Sequence, residues 1–377
     1  MKLYEYVARR LVLMIFVLFA VSIIVFVLTR GVLPATSALA PYITPKMTDS
    51  VKLETAVGLG VAESGCPSFN AFSHNAPGCI VPLYIQYFSW LKNVLSGNWG
   101  FSLLPDIGSG QTTWNLFVAR FPFTAELAIA GAILTIVIAI PMGIISATHN
   151  NKVPDHVSRI IALTGYSMPV FWLAYILQIV FVIYITIQIS ATNSIGLLPS
   201  NGVLPTNCGI CFSNPGSINT YTGAPIVDAI FSGNGRYFWD SVVALILPAV
   251  TLSVSTLGAL TRIVRSSMME ALRQDYILLA RSKGLKERTV VYRHALKNAL
   301  LPAITVSGLI LATLLGGVVV VEYIFSWPGI GAAALSASLY LDINFLELYT
   351  LVTALIIVVS NLGVDVLYAF IDPRIRY

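Results

Sequence analysis

The sequence predicts an all-α, polytopic membrane protein with about six transmembrane helices and two large extracytoplasmic loops. Three observations carry this prediction. Of the 377 residues, 56% are hydrophobic and 10% are charged, whereas soluble domains average about 25% charged residues. Several apolar runs reach the roughly 18 residues that indicate a membrane helix. Lysine and arginine are concentrated in alternate segments between these runs, which is typical of membrane topology and argues against a nucleic-acid partner.

Six apolar runs are each long enough to cross a hydrocarbon core of about 30 Å at 1.5 Å per residue. Pro169 lies inside the third run, which is longer than a span requires and predicts either a kink or first turns in the interface. The first run exceeds the roughly 7–15 apolar residues of a signal peptide, which favours a retained helix although TSALA, ending at Ala40, resembles a cleavage site. The predicted spans are Leu11–Thr29, Phe123–Ala147, Ile160–Ile189, Val242–Ile263, Leu300–Phe325 and Phe345–Phe370.

The distribution of basic residues predicts that both termini are cytoplasmic. Sixteen lysine and arginine residues fall in segments 1–10, 148–159, 262–298 and 371–377. Only four fall in the alternate segments 31–113, 190–240 and 326–344. Positive charge marks the cytoplasmic segments, and an even number of spans requires both termini on one side, so the two arguments agree.

The chain is predicted to divide into three regions. Residues 1–121 form an N-terminal helix with its outer loop, residues 122–370 form the membrane core, and residues 371–377 form a cytoplasmic tail. The core carries an outer insert at 190–240 and a cytoplasmic loop at 264–298. Within the first outer loop, residues 81–100 have apolar side chains at helical spacing followed by Gly97, which predicts an amphipathic helix on the outer face or a packed cap over the loop.

All four cysteines fall in the predicted outer loops, where an oxidising compartment favours disulfide bonds. Pairing Cys66 with Cys79 and Cys208 with Cys211 closes the shortest loops at the lowest entropic cost. The alternative is a structural zinc site that uses the Cys208–Cys211 pair and His74, but a single Cys-x-x-Cys pair is a weak zinc motif.

The motifs of several enzyme classes are absent from the sequence. It contains no G-x-x-x-x-G-K-[ST] phosphate loop, no H-E-x-x-H and no G-x-S-x-G, so neither catalysis nor a cofactor is expected. Glu126, Glu322 and Asp365 lie inside predicted spans, where a carboxylate faces a cavity or a partner charge. They are consistent with buried ion pairs, with a permeation path, or with an ion-coupled secondary carrier, although the internal repeat typical of many such carriers is not evident.

Small residues recur at four-residue spacing in the fifth span. Gly308, Ala312 and Gly316 lie in GLILATLLGG, and this spacing lets membrane helices approach closely. The contact is predicted equally within the chain or with a second subunit.

The most unusual segment is the basic stretch QDYILLARSKGLKERTVVYRHALKNALLP at 274–302. Gly284 predicts a left-handed helix stop, a second helical pattern follows at 287–299, and Pro302 is expected to open the next span. Such an element suits either an anionic lipid surface or a groove on a cytosolic protein. One helical face before the stop is predicted to hold Leu272, Tyr276, Leu279, Ala280 and Lys283.

This loop resembles the coupling element of permease subunits of ATP-binding-cassette importers, of the dipeptide/oligopeptide type. The family pattern is Glu-Ala-Ala, three residues, Gly, nine residues, Ile-x-Leu-Pro. Ala280, Gly284 and Leu296 match it, whereas other positions depart: Leu278 for Glu, Leu279 for Ala, His294 for Ile and Lys297 for Pro. Further motifs resemble the family in its order along most of the chain: YVARRLV, VPLYIQYFSWL with SGNWGFSL, RFPFTAELAIA, GYSMPVFWLA, GLLPSNG, VVVVEYIFSWPGIG and DPRIRY.

The resemblance implies a type I importer permease fold and half of a translocation path. It implies a lipid bilayer environment, a second homologous permease, two cytosolic ATPase subunits that hydrolyse ATP, and an extracytoplasmic solute-binding protein. The implied substrate is a di- or oligopeptide, with oligosaccharide or nickel as alternatives. The Pro-Gly-Asp-Pro expected after the first span is replaced by RGVLPATSAL, and the cysteine-bearing loops are unexpected.

Two groups of residues are assigned on this basis. Gate candidates are Glu322, Phe325 and Pro328. Candidates for docking to an ATPase subunit are Leu272, Arg273, Asp275, Tyr276, Ala280, Lys283, Gly284, Arg293 and His294.

Overall fold

The computed structural model of the protein describes residues 3–32, 36, 39, 42–43, 46–104, 111–184, 221–316 and 318–371. Regular structure in these ranges is helical, apart from two isolated β-bridges. The helices are α1 Leu3–Phe26, α2 Asp49–Gly58, α3 Phe69–Ser73, α4 Leu83–Leu95, α5 Thr113–Thr148, α6 Val153–Ser167, α7 Val170–Leu177, α8 Pro225–Phe231, α9 Gly235–Ala271, α10 Asp275–Ser282, α11 Glu287–Thr289, α12 Leu296–Leu315, α13 Val319–Ile324, α14 Ile330–Leu339 and α15 Ile343–Ile371. Segments of π-helix follow α1, α7 and α11, at Val27–Val32, Gln178–Tyr184 and Val290–Ala295.

The predicted fold class is confirmed by the helices that are long and apolar enough to cross a membrane. Five such helices are present among the described residues, and a sixth span results if the bent pair α6–α7 counts as one. All six correspond to predicted apolar runs, because hydropathy over some 20 residues is a strong signal for membrane helices.

The third span bends at Pro169. α6 ends at Ser167, α7 begins at Val170, and their axes differ by 103°. Pro169 is the N-cap of α7 and has no N–H to donate, and it disfavours helical geometry at Met168, whose ψ is 130°. A bend of this size fits both predicted alternatives, a kinked span and first turns in the interface, so the choice between them stays a prediction.

The chain divides into two compact units. The larger unit comprises Met1–Arg9, Pro122–Gly331 and Ile356–Tyr377, and the smaller comprises Arg10–Phe121 and Ala332–Leu355. In this division Ala332–Leu355 group with Arg10–Phe121. The three predicted regions, with boundaries after residues 121 and 370, stay a prediction.

Two apolar clusters form the interior of the larger unit. One joins α5, α7, α8 and α9 to α13 through residues such as Leu127, Leu252 and Trp327. The other joins α5 and α9 to α10, α12 and the π-helical segment between α11 and α12 through residues such as Leu260, Met268 and Val290. Residues of the basic segment at 274–302 pack in this second cluster.

The smaller unit has a core of its own around a disulfide bond between Cys66 and Cys79. Phe72 on α3 is fully buried beside it. This bond is the first of the two predicted pairings, whereas Cys208 and Cys211 lie outside the described residues, as does the zinc site that would use them. α4 and its stop at Gly97, with φ +80°, match the predicted helix. Tyr87 and Trp90 of α4 pack against Phe26, so its two predicted roles, a helix on the outer face and a packed cap, stay predictions.

Two predictions about the fifth span are wrong. The apolar run Leu300–Phe325 is interrupted, because α12 ends at Leu315 and the separate helix α13 begins at Val319. Pro302 lies inside α12 instead of opening it.

The small residues of this span have a neighbour within the chain. A Cβ at Gly308 would overlap Val364 of α15, and one at Gly316 would lie 3.1 Å from Ile357 of the same helix. Of the two predicted contacts, the structure contains the one within the chain.

Candidate functional site: the loop between α9 and α12

The candidate loop begins where α9 ends at Ala271. Gln274 has extended backbone geometry, with ψ 151°, and α10 starts at Asp275. Leu272 therefore belongs to the end of α9 and does not share a helical face with Tyr276, contrary to the prediction. It is half-buried and packs against the second apolar cluster of the larger unit.

The end of α10 has the hydrogen-bond pattern of a Schellman motif. Gly284 N donates to Arg281 O at 2.9 Å, and Leu285 N donates to Ala280 O at 3.4 Å. These two bonds satisfy carbonyls that a helix end leaves unpaired. Gly284 has φ +74°, a conformation that side chains with a Cβ rarely adopt. The predicted left-handed stop is confirmed.

One face of α10 is fixed to the interior of the larger unit. Ile277 and Ala280 are buried, and they pack with Val290, Val291 and Ala295. Ala280 therefore contacts the core of its own chain, so its prediction as a docking residue is corrected. Which face of a short helix is buried depends on tertiary neighbours that the local pattern does not identify.

A salt bridge closes the turn between α10 and α11. Arg281 donates to Glu287 through Nη2 at 2.6 Å and through Nε at 3.1 Å. The hydrogen bond to this carboxylate raises the pKa of the Arg281 guanidinium above its ordinary value. Both side chains are largely exposed, so the bridge adds only about 0–1 kcal/mol of stability. It does restrict the angle between the two helices that Gly284 joins.

The opposite side of the loop is apolar and exposed. Leu278 is 66% exposed, and Leu279, Leu285 and Tyr292 are exposed as well. Exposed clusters of large apolar side chains mark surfaces for partners or membranes. The predicted docking residues do not include Leu278, Leu285 or Tyr292. The reason is that the predicted helical face runs through Leu272 and Ala280.

The remaining docking candidates differ in their exposure. His294 is half-buried within the π-helical segment. The exposed candidates are Arg273, Asp275, Tyr276, Lys283, Gly284 and Arg293. The loop thus has a buried apolar face that fixes it in the larger unit and an exposed face of leucine, tyrosine and basic side chains.

The gate candidates occupy a second site in the larger unit. Glu322 is completely buried, and its Oε1 accepts a hydrogen bond from Thr124 Oγ1 at 2.8 Å. Thr124 Oγ1 in turn accepts from Ile330 N at 2.9 Å. Gly329 allows this close approach, because a Cβ there would overlap Thr124 and Glu322. The carboxylate thus connects α5, α13 and the start of α14.

The turn after α13 is closed by a tryptophan. Trp327 N donates to Glu322 O at 2.7 Å, and its Nε1 donates to Phe123 O at 2.8 Å. Phe325 is buried beside it in the first apolar cluster, and Pro328 is half-buried. In this arrangement Glu322 and Phe325 are interior groups that hold the turn.

The other two intramembrane carboxylates differ from Glu322. Glu126 on α5 accepts a hydrogen bond from Ile226 N at 2.8 Å, and its second oxygen is buried without a partner. The side chain of Asp365 on α15 lies outside the described residues.

Comparison with known proteins identifies the family. Residues 139–377 match the family described as the binding-protein-dependent transport system inner membrane component. The matched range is more than half of the chain and includes the loop between α9 and α12 and the segment from Glu322 to Ile330, whereas Phe123 and Thr124 of the second site lie before it. The chain belongs to this family.

Individual relatives extend the similarity of this inner-membrane component beyond the matched range. It is 36% identical over 373 residues to a dipeptide transport system permease protein of Alkalihalophilus pseudofirmus, covering 99% of each chain. It is 36% identical over 296 residues to a dipeptide transport system permease protein of Escherichia coli, covering 78% of this chain and 82% of the relative. An oligopeptide transport system permease protein of Bacillus subtilis is 34% identical over 296 residues, covering 78% and 81%.

Membership makes the chain a multi-pass membrane component of a transport system. The resemblance noted in the sequence is thereby confirmed at the level of the family, and the alternative of an ion-coupled secondary carrier loses its support.

Proposed function

We propose that the chain is the permease subunit of an ATP-driven importer for di- or oligopeptides and forms half of its translocation path. The observation that carries this proposal is the 36% identity over 99% of both chains to a dipeptide transport system permease protein. The remaining partners are a homologous permease, two cytosolic ATPase subunits and an extracytoplasmic binding protein. ATP is hydrolysed in the ATPase subunits, since this chain has no phosphate-binding motif.

The loop between α9 and α12 is the docking element for an ATPase subunit. Its exposed apolar side chains, Leu278, Leu279 and Tyr292, suit insertion into a groove. Its exposed basic residues, Arg273, Lys283 and Arg293, orient the partner, as charged residues do in protein interfaces. The Schellman turn and the Arg281–Glu287 bridge stiffen the element, so that a movement of the ATPase is transmitted to α9 and α12.

Peptide uptake by the reconstituted importer tests the proposed function. Proteoliposomes should accumulate a labelled dipeptide only when ATP and the binding protein are present. Uptake that persists without ATP and collapses with the ion gradient would instead identify a secondary carrier. Uptake of Ni²⁺ or of an oligosaccharide, with no dipeptide uptake, would replace the proposed substrate and keep the importer.

A cross-linking pair tests the docking loop. Leu278→Cys should cross-link to an ATPase subunit in the assembled complex, because Leu278 is 66% exposed on the proposed interface. Val153→Cys is the matched control, since Val153 is also highly exposed and lies within the 148–159 segment predicted on the same side. If Leu278→Cys reacts only with lipid and the loop responds to anionic lipid and salt, the loop is a membrane-surface element instead.

A further inference from the structure

Helix α4 of the smaller unit exposes two large aromatic side chains on one face. Tyr84 and Phe88 lie one helical turn apart and are 66% and 64% exposed. Tyr87 and Trp90 of the same helix are buried. Neighbouring large side chains that remain exposed mark a contact surface, because their contact with water is unfavourable. The face of Tyr84 and Phe88 is therefore a candidate interaction surface.

The buried face of α4 is fixed to a membrane-spanning helix. The hydroxyl groups of Tyr87 and of Ser22 on α1 share a hydrogen bond of 2.8 Å. The rings of Tyr87 and Trp90 have their centres 5.3 and 5.5 Å from that of Phe26. The apolar span that contains α1 ends at Gly31, so Ser22 lies about two and a half turns before this end. α4 is therefore held beside the span and not beyond it.

The polar side of α4 faces the end of this span. Asn93 lines the same cavity as Arg30, and Arg30 directly precedes Gly31, where the span ends. Tyr87 reaches in the other direction along α1, because its ring centre also lies 6.3 Å from that of Phe19, deeper in the span. The axis of α1 thus defines a shallow side and a deep side of α4.

The exposed aromatic side chains belong to the deep side. At 3.6 residues per turn, Tyr84 and Phe88 project roughly 180° and 140° away from Asn93 around the helix axis. The ring centres of Phe88 and Tyr87 are 5.5 Å apart, and Tyr87 in turn contacts Phe19, which is 49% exposed on α1. The aromatic face of α4 therefore continues the exposed apolar surface of a spanning helix.

We propose that the face of α4 formed by Tyr84 and Phe88 lies in the lipid of the outer leaflet, which makes α4 an interfacial helix. Two observations favour lipid as the occupant. The face is continuous with α1, and only 17% of the apolar window of the span that contains α1 is buried. The change from a deep aromatic side to a shallow polar side also matches the change from hydrocarbon to headgroups along the membrane normal. The outer leaflet follows from the predicted cytoplasmic N-terminus.

The border of this face is polar. Lys92 is exposed beside Phe88, and its long side chain can carry the amine to the headgroups while its methylene groups stay in the interface. Leu95 has the same orientation as the aromatic pair, but it is the last residue of α4 and is followed by the exposed Ser96, so it borders water.

An interfacial α4 links the depth of two spans to the leaflet. Trp90 Nε1 donates to Glu347 Oε2 near the start of α15 at 2.8 Å. Thr29 Oγ1 donates to Glu347 Oε1, also at 2.8 Å. A helix held in lipid through Tyr84 and Phe88 therefore fixes α1 and the start of α15 at one level of the bilayer. This role requires the membrane location that family membership establishes and is independent of the transported solute.

Spin-label accessibility in the assembled importer, reconstituted in lipid nanodiscs, tests the proposal. Labels at Tyr84→Cys and at Phe88→Cys, in chains that also carry Cys208→Ser and Cys211→Ser, should collide several-fold more often with oxygen, which partitions into lipid, than with a water-soluble nickel chelate. Asn93→Cys is the matched control, because Asn93 is exposed on the opposite side of the same helix. Its label should show the reverse preference.

Two other results would overturn the proposal. Free access of the nickel chelate to the labels at Tyr84 and Phe88 would place this face in water. Access of neither reagent would place it against protein, and repeating the measurement without the binding protein would show whether that protein or the second permease covers it. Size-exclusion chromatography identifies variants that fail to assemble, and the two labels carry the test independently. The outcome does not depend on dipeptide uptake, so failure of the proposed substrate would leave it unchanged.

Discussion

Single carboxylates fix distant segments of this chain to one another. Each accepts hydrogen bonds from donors far away in sequence, and each is buried. The sequence shows them only as isolated acidic residues, whereas burying a charge requires partners that compensate its lost hydration. The four are Asp155, Glu322, Asp342 and Glu347.

The Asp155–Arg265 pair should contribute strongly to stability. Asp155 is completely buried and accepts from Arg265 Nε at 2.8 Å and Nη2 at 3.0 Å, and also from Ser146. Asp155→Asn leaves the guanidinium without its charge partner, which should lower the free energy of unfolding by about 3 kcal/mol. Chemical denaturation in detergent measures this. Arg281→Gln breaks an exposed bridge with the same chemistry and should cost only about 0–1 kcal/mol; equal losses would show that burial does not decide the effect.

Thr124 should contribute to stability through the two hydrogen bonds that it makes. Thr124→Val keeps the shape but leaves Glu322 Oε1 and Ile330 N without this partner in a buried site. We expect a loss of about 2 kcal/mol or more, seen in thermal unfolding. Thr305→Val is the control, because Thr305 bonds only to Leu301 O in its own helix and should lose much less. If Thr124→Val leaves thermal stability unchanged, other hydrogen bonds compensate the Glu322 carboxylate.

Helix ends and helix contacts determine the behaviour of whole elements. The Schellman turn at Gly284 orients α10 against α11, and the small residues of α12 set its distance from α15. Both features depend on glycine, but for different reasons. The first requires a backbone conformation, and the second requires the absence of a side chain.

Gly284→Val should change the docking loop without a steric clash. A Cβ at Gly284 meets nothing within 4 Å, so the substitution acts through φ +74° alone. The conformation costs about 1–2 kcal/mol for residues with a Cβ, and the turn should relax toward another geometry. The variant should insert into the membrane and pair with its permease partner but lose ATPase association in pull-down. Gly284→Asn should retain most of the ATPase association, because asparagine tolerates the left-handed backbone region with positive φ. Gly235→Ala, at an open position without positive φ, should behave as the unmodified chain.

The α12–α15 contact should respond to side-chain size. A Cβ at Gly308 would overlap Val364, whereas one at Gly363 meets nothing within 4 Å. Gly308→Leu should therefore destabilise the protein by about 1–3 kcal/mol through overpacking, and Gly363→Leu should have little effect. Unfolding in detergent compares the two. If both variants behave alike, close approach of these helices is not required.

At the scale of the whole molecule, the charge distribution predicts which side of the membrane each exposed surface faces. Leu278→Cys lies in the basic loop and Leu95→Cys on α4, and both positions are highly exposed. An impermeant thiol reagent should label Leu95→Cys in intact cells and Leu278→Cys only after permeabilisation. The native Cys66 and Cys79 are disulfide-bonded and buried, so they should contribute little background. The reverse pattern would invert the topology.

The span positions and the turn at Gly284 were predictable because their causes are local in sequence. Hydropathy over a long window predicts the spans, and a glycine after a helical pattern predicts the turn. The burial of Ala280 was not predictable, because it depends on Met268 and Val290 from other elements. The break after Leu315 lies within a continuous apolar run, where composition does not distinguish one helix from two. Glu322 was recognised as unusual, but Thr124, its donor, is 198 residues away in the chain.

The bend of 103° between α6 and α7 has a mechanical consequence. The two helices share a chain but not an axis, so a displacement of α6 along its own axis is directed almost perpendicular to α7. In a straight span the same displacement would run along one common axis. Since the bend coincides with Pro169 and the extended backbone of Met168, a helical backbone at these two residues would align the axes while leaving the hydrophobic length of the span unchanged.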